Sequence, residues 1–251
     1  MSSHYDTYNY PLFWKSRKYE HEAEILALKE FLQNIPTPKK IIEIGVGFGR
    51  LIPIYGKGSS EITVTDPSSV LLNMARQKFK KQKIKFIQSK LENFDRRIRN
   101  NFFDLAIMVR VLHHIKDVGY AFSIVNRKLK TNGYFILEFA NKSHMKANVS
   151  EILKGNYTTP FEIFPKDIRS ARSIENKTLP FTNYHPDKIK EILASSGFKI
   201  VKIKSVSNMR IPLIKERVPL NILLFIEKHI QNILSRLYFG PSIFILAKKV
   251  R

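Results

Sequence analysis

The sequence predicts an α/β chain organised on a doubly wound, mostly parallel sheet, and three observations carry that prediction. Short β-branched runs alternate with segments of helical apolar spacing over residues 39–140, the pattern of strands joined by crossover helices. One run, Ile41-Ile42-Glu43-Ile44, ends in glycines spaced two apart, Gly45, Gly47 and Gly49, as a buried strand does when it turns sharply into a helix. A second run, Glu61 to Thr65, closes on Asp66, about 20 residues further on, where an acid in such a fold accepts hydrogen bonds from ribose hydroxyls.

The glycines also predict a ligand. Glycine adopts the backbone angles that such a turn demands, and without a Cβ it lets a bulky ligand lie against the main chain. In the dinucleotide fingerprint G-x-G-x-x-G the third glycine brings a helix N-terminus to a pyrophosphate. Here the spacing is G-x-G-x-G. With the preceding acid Glu43, the stretch Ile41 to Arg50 resembles motif I of the class I S-adenosylmethionine-dependent methyltransferases.

Composition bounds the remaining choices. A chain of 251 residues with 43% apolar content can bury one substantial core. No apolar run approaches the roughly 20 residues of a membrane span. The N-terminal stretch with Tyr5, Asp6 and Tyr8 lacks a secretory apolar region, so a cytoplasmic protein is expected. The absence of cysteine excludes disulfides, thiolate metal sites and a thiolate nucleophile, and with the last of these the usual covalent route to cytosine-C5 methylation. The seven histidines show no ligand spacing, so no metal is expected. A formal charge of +22 favours a polyanionic partner, RNA, DNA or an anionic membrane face, unless the lysines are simply spread over solvated surface.

Taken in order, residues 1–20 are rich in aromatics, among them Tyr10, Phe13, Trp14 and Tyr19, and are expected to pack on the domain. Helical spacing runs from about Tyr19 to Gln33, and Pro36 and Pro38 close that helix before the glycine strand. After Asp66, residues 68–81 read as a helix with Val70, Leu71, Met74, Ala75 and Phe79 inward. A third strand follows at Ile84 to Ile87.

The strand Phe103 to Val109, followed by Arg110-Val111-Leu112-His113-His114-Ile115, resembles the methyltransferase family's motif IV at the right distance from the glycines. Leu129-Lys130-Thr131-Asn132-Gly133 resembles the family's L-K-P-G-G turn, with Thr131 and Asn132 departing from it. An Asn-Gly pair there tolerates positive φ and feeds the apolar strand Tyr134 to Phe139. The element Gly197-Phe198, which leads into a sixth strand, is similar to the family's as well.

The resemblance covers about residues 39–140 and implies a Rossmann-like, seven-stranded methyltransferase sheet with an N-terminal helical cap and insertions before and within the last strand hairpin. The chain is then one domain, 1–251: cap 1–38, cofactor-binding core 39–140, substrate-side insertion 141–183, and C-terminal sheet half 184–251 with an amphipathic helical insertion at 209–239. In that last segment Leu223, Ile226, Ile230, Ile233, Leu234 and Leu237 share one helical face, suited to the core, a dimer surface or a membrane surface.

The resemblance also implies S-adenosylmethionine as cofactor, held by Glu43, Gly45, Gly47, Gly49, Asp66, Val109 and Arg110, with Arg17 reaching its carboxylate. The family's adenine-binding aspartate is replaced, since Ser89 is followed by Lys90. Backbone groups from Ser89 to Leu91, or the side chain of Gln88, have to substitute. His113, His114, Tyr184 and His185 are the candidate proton acceptors or substrate ligands. The implied reaction is in-line methyl transfer to a small-molecule or lipid-like acceptor, in a cytoplasmic protein that meets an anionic membrane surface if its acceptor lies there. RNA is the less favoured partner, because the turn after strand four does not resemble the N-P-P-Y type. A non-catalytic binding module is a third reading, and the oligomeric state is open.

Overall fold

Strands covered on both faces need near-continuous apolar runs, and such runs make the centre of this molecule. The structure is a computed structural model that describes residues 10–56, 58, 60–96, 98–175, 178 and 180–250. Tyr5, Asp6 and Tyr8 lie outside the described residues.

Helices α1 (Tyr10–Lys15) and α2 (Lys18–Gln33) precede strand β1 (Lys40–Ile44). There follow α3 (Ile52–Tyr55), β2 (Glu61–Asp66), α4 (Ser69–Lys78), β3 (Ile84–Gln88), β4 (Phe103–Met108), α5 (Val118–Lys128) and β5 (Leu129–Ala140). The segment after β5 holds α6 (Met145–Leu153), α7 (Ala171–Glu175) and a short antiparallel pair, Lys166–Asp167 with Thr182–Asn183. Helix α8 (Pro186–Ser195) leads into β6 (Phe198–Val206), then α9 (Pro212–Arg217), α10 (Leu220–Leu234) and β7 (Ser242–Lys249).

The seven-stranded sheet has the order β3-β2-β1-β4-β5-β7-β6. Strands β1 to β5 are parallel, and β7 runs antiparallel to both β5 and β6. This is the predicted seven-stranded class, with α1 and α2 as the helical cap. Register places the site: Ile44 pairs with both Thr65 and Met108. Gly45, Asp66 and Val109 therefore leave the sheet side by side at the carboxyl ends of the strands, where open α/β sheets bind ligands. Apolar residues fill both faces, with Phe122, Phe135 and Phe139 in one core cluster and Phe31, Ile41 and Ile52 in the other.

Two helices face differently from the sequence expectation. In α4, Val70 and Met74 are exposed, and Leu71, Leu72 and Ala75 turn toward the sheet with Phe79 just beyond. The helix starts later than expected because Ser68 is its cap, its Oγ accepting from Leu71 N at 3.2 Å.

In α10 the buried positions are Leu223, Glu227 and Gln231, while Ile233 and Leu237 stand in solvent. The cause lies at the end of β6. Ser207 has a left-handed backbone (φ 64°), and its buried N–H needs an acceptor. Glu227 provides it at 2.8 Å and also accepts from Tyr19 Oη at 2.6 Å. Gln231 donates to Ala23 O at 2.9 Å. Helix α10 thus docks through Leu223 and Leu224 together with two polar side chains, Glu227 and Gln231.

Candidate active site

The site begins at the turn after β1. Gly45 and Gly47 have φ of 73° and 54°, in the left-handed region that L side chains rarely occupy. A Cβ on Gly45 would stand 2.2 Å from a Val111 methyl, so this position admits only glycine without rearrangement. Asp66 fixes the turn from the neighbouring strand: one carboxylate oxygen accepts from Gly47 N at 2.8 Å and the other from Ser68 N at 2.8 Å. Gly45 N and Val46 N donate to Thr65 O at 2.8 and 3.0 Å.

These groups floor a cavity of about 380 Å³, within the range of small-molecule sites. Asp66, Ser89, Lys90 and Leu91 border one side, Val109, Arg110, Val111 and His114 the other, and Tyr10 of the cap meets it near Gly47. Main chain left open by glycine, with two carboxylates beneath it, suits a nucleoside that carries a cationic tail. Near the departed motif, Ser89 N donates to Asp66 O at 3.1 Å and Ser89 Oγ to Lys90 O at 2.9 Å. Gln88 turns away and donates to Pro67 O at 3.2 Å. The cavity wall at this point is the Ser89–Glu92 segment.

The electrostatics rest on buried carboxylates. Burial pushes Glu43 up to about 8, even though the Tyr55 hydroxyl donates to it and Arg50 lies near. Glu24 of α2 is fully buried between Arg50 at 2.5 Å and Arg110 at 2.7 Å. Burial alone raises the Glu24 carboxyl, but the two guanidiniums outweigh it and hold the group below its ordinary value. Arg50 also stacks on Trp14 at 3.9 Å. Arg110 has a left-handed backbone (φ 63°), and its N–H donates to the buried Glu138 at 2.7 Å. Arg50 and Tyr10 line the cavity and Glu24 pairs with Arg50 and Arg110, placements that sequence reading missed. Arg50 directly follows the glycine turn, and Glu24 is an acid among Ala23, Ala27 and Leu28 on the buried face of its helix.

Of the four candidate proton acceptors, only His114 lines the cavity among the described residues. Its Nδ1 lies 2.7 Å from Pro180 O. A carbonyl can only accept, so Nδ1 is the donor in this bond, and in the neutral ring Nε2 is then the basic nitrogen. His113 is buried, packed 4.3 Å from the Phe181 ring, and burial, then the charges of His114 and Arg110, hold it well below the ordinary imidazole value. The Tyr184 hydroxyl is pushed up to about 12 by burial and donates to Ile115 O at 3.0 Å. His185 caps α8, its Nδ1 accepting from Asp187 N at 3.2 Å. Of these three, His113 packs on the insertion through Phe181, while Tyr184 and His185 fix the start of α8. Arg17 stacks on Phe13 at 4.1 Å and borders a separate depression, because the short α1 comes between it and the glycine turn.

Comparison with known proteins accords with this geometry. The model of the family described as "Methyltransferase domain" matches residues 42–137. A probable polyketide synthase 42 of Dictyostelium discoideum is 26% identical over 200 residues, 68% of this chain and 7% of that protein. A ubiquinone biosynthesis O-methyltransferase of Pasteurella multocida is 25% identical over 158 residues, 58% of this chain and 64% of that one. The chain thus spans less than two thirds of either relative. Among solved structures, an S-adenosylmethionine-dependent methyltransferase from Mesorhizobium loti superposes with a TM-score of 0.62 at 18% identity, covering 90% of this chain and 98% of that one; it shows the same fold.

Proposed function

We propose that the chain is a class I S-adenosylmethionine-dependent methyltransferase with S-adenosylmethionine as its cofactor, a reading supported by the methyltransferase-domain match over residues 42–137, and that it methylates a hydroxyl of a small-molecule or lipid-like acceptor with His114 as the base. When bound, the cofactor supplies a methyl group already activated on a sulfonium, so the protein's share is alignment, exclusion of water and proton removal.

Each contribution has a candidate. Glu43 would meet the ammonium of the methionine end and would give up its proton there. Asp66, which pins Gly47, would accept from the ribose. Gly45, Gly47 and Gly49 would let the main chain approach, and Ser89 to Leu91 would offer backbone groups to the adenine. Val109 and Arg110 would hold the methionine moiety together with Arg50, which lines the cavity where Arg17 does not.

The observation that carries the choice of chemistry is the hydrogen bond between His114 Nδ1 and Pro180 O at the cavity wall. It would leave Nε2 as the basic nitrogen of the neutral ring, the atom that would take the proton of an acceptor hydroxyl during methyl transfer. One matched relative is by name an O-methyltransferase, which supports an oxygen acceptor. Among the described residues no helix is long and apolar enough to cross a membrane, and a cytoplasmic enzyme that meets lipid-like acceptors at a membrane surface fits the charge of +22.

The test is release of S-adenosylhomocysteine during turnover on a panel of hydroxylated aromatics and long-chain alcohols, with His114→Asn beside the wild type. Turnover is expected to fall roughly 10²- to 10⁴-fold in the variant with cofactor affinity unchanged. Equal turnover in the two proteins removes His114 from the chemistry.

A further inference from the structure

At the end of the sheet that carries the cavity, the chain leaves large apolar side chains in solvent. Two separate excursions do this, one after β5 and one after β6, and both strands end level because each pairs with β7, Ala140 and Val206 sharing Ser242. Helix α6 buries no residue at all. Its Met145, Val149, Ile152 and Leu153 fall at the i, i+4, i+7, i+8 spacing of one helical face, and all are exposed, Leu153 by 82%. Phe161 and Phe164 beyond it are exposed by 83% and 76%. In the second excursion, Leu213 of α9 and Ile222 and Phe225 of α10 are exposed as well, because α10 docks through Leu223, Glu227 and Gln231.

Basic residues lie among them. A polar depression of about 420 Å³ between the start of α2 and α9 is bordered by Arg17, Arg210 and Lys215, with Glu20 and Glu216. Glu20 is buried and already engaged, by Lys215 at 2.8 Å and by Arg210 at 3.4 Å. Arg210 loses proton affinity first through burial and then through the charge of Arg17, so two guanidiniums crowd one place.

Exposed apolar side chains and a depression in which three cations outnumber two carboxylates match a bilayer with anionic headgroups: the acyl boundary receives the apolar groups and the phosphates meet the excess of cations. A second copy of the chain is a poor occupant, since it brings the same charge of +22 to the contact. We infer that this face docks on an anionic membrane surface, with α6, α9 and the start of α10 entering the interface and a lipid phosphate seated between Arg17, Arg210 and Lys215. The inference rests on the proposed function only for the lipid-like nature of the acceptor, which would then reach the cavity from the membrane side.

The experiment is co-sedimentation with phosphatidylcholine vesicles, with and without phosphatidylglycerol, alongside calorimetric binding of S-adenosylhomocysteine as an independent check on the fold and cofactor site. The wild type is expected to sediment with the phosphatidylglycerol vesicles and not with phosphatidylcholine alone. The triple variant Leu153→Glu, Leu213→Glu, Phe225→Glu should partition at least tenfold less, and Arg210→Gln roughly fivefold less, both with cofactor affinity retained. Absence of wild-type binding to anionic vesicles overturns the inference, as does a triple variant that sediments like the wild type. A wild-type dimer in light scattering that the triple variant converts to a monomer also overturns it, by giving the face to a second copy. Failure to bind S-adenosylhomocysteine would instead strike the methyl-transfer reading, whatever the vesicles show.

Discussion

The cofactor half of the molecule and its acceptor side are built on opposite principles. Around the glycine turn, ionisable groups are sunk into the protein beside close partners: Glu24 between Arg50 and Arg110, Glu43 under Tyr55, Glu138 beneath Arg110. Along α6, Glu151 pairs loosely at the surface, with Lys154 at 3.3 Å and Lys166 at 3.9 Å, and apolar side chains point outward. The first arrangement fixes geometry at a cost in desolvation that only close pairing offsets. The second adds little to folding and leaves surface to be covered by something else. Rigid recognition of one ligand and adaptable contact with another are thus divided between two regions of one chain.

The comparison can be broken most forcefully at Glu24. Glu24→Ala strands two guanidiniums in the cap, and chemical denaturation is expected to show a loss of about 3–5 kcal/mol. The same network sets an acid limit. The Glu24 carboxyl is held below its ordinary value of 4.5, so its contribution is complete above that pH and disappears as pH falls through the depressed folded value. A variant as stable as the wild type at neutral pH would mean that the buried network is dispensable.

Next in size is Gly45→Ala. A left-handed backbone costs an alanine ~1–2 kcal/mol, and relieving the 2.2 Å approach to Val111 adds about 1–3 kcal/mol. The same denaturation series measures the sum.

Glu43 sharpens the contrast through pH. Its folded value, about 8, lies above the ordinary 4.5, so the ligand-free folded state binds more protons than the unfolded chain between those values. Stability should therefore fall as pH rises across that window and level off above it. In Glu43→Gln the Glu43 share of that slope should be absent from thermal midpoints recorded from pH 5 to pH 8. An unchanged slope would show that Glu43 is ionised before any ligand arrives.

On the acceptor side the smallest effect is expected. Leu153→Ser, at a side chain exposed by 82%, should stay within about 0.5 kcal/mol of the wild type. A larger loss would place Leu153 in a packed contact and erase the difference between the two regions.

The same contrast explains what the sequence made legible. The glycine turn, Asp66 and the His113-His114 turn are each encoded in a contiguous stretch whose local geometry forces the outcome, and the parallel order of β1 to β5 follows from their alternation with helices. The Glu24 network was hidden because its members are 26 and 86 residues apart along the chain, and an acid on a helix face reads as solvated until the fold closes over it. Helix α10 was legible as amphipathic but not in its orientation. Periodicity says that two faces differ, but it does not show that the N–H groups of Ser207 and Asn208 draw Glu227 inward beside Leu223. His113 and His114 are adjacent in sequence, yet packing sends one ring against Phe181 and the other to the cavity.

The measurement that bears most directly on the site is a calorimetric titration of S-adenosylhomocysteine into the wild type and into Gly45→Ala, with NADH as the control ligand. Micromolar binding to the wild type, about −8 kcal/mol, that is lost in the variant and absent for NADH is the predicted result. A folded wild-type protein that binds no S-adenosylhomocysteine, or that binds NADH as well, would contradict the assignment of the glycine-floored cavity.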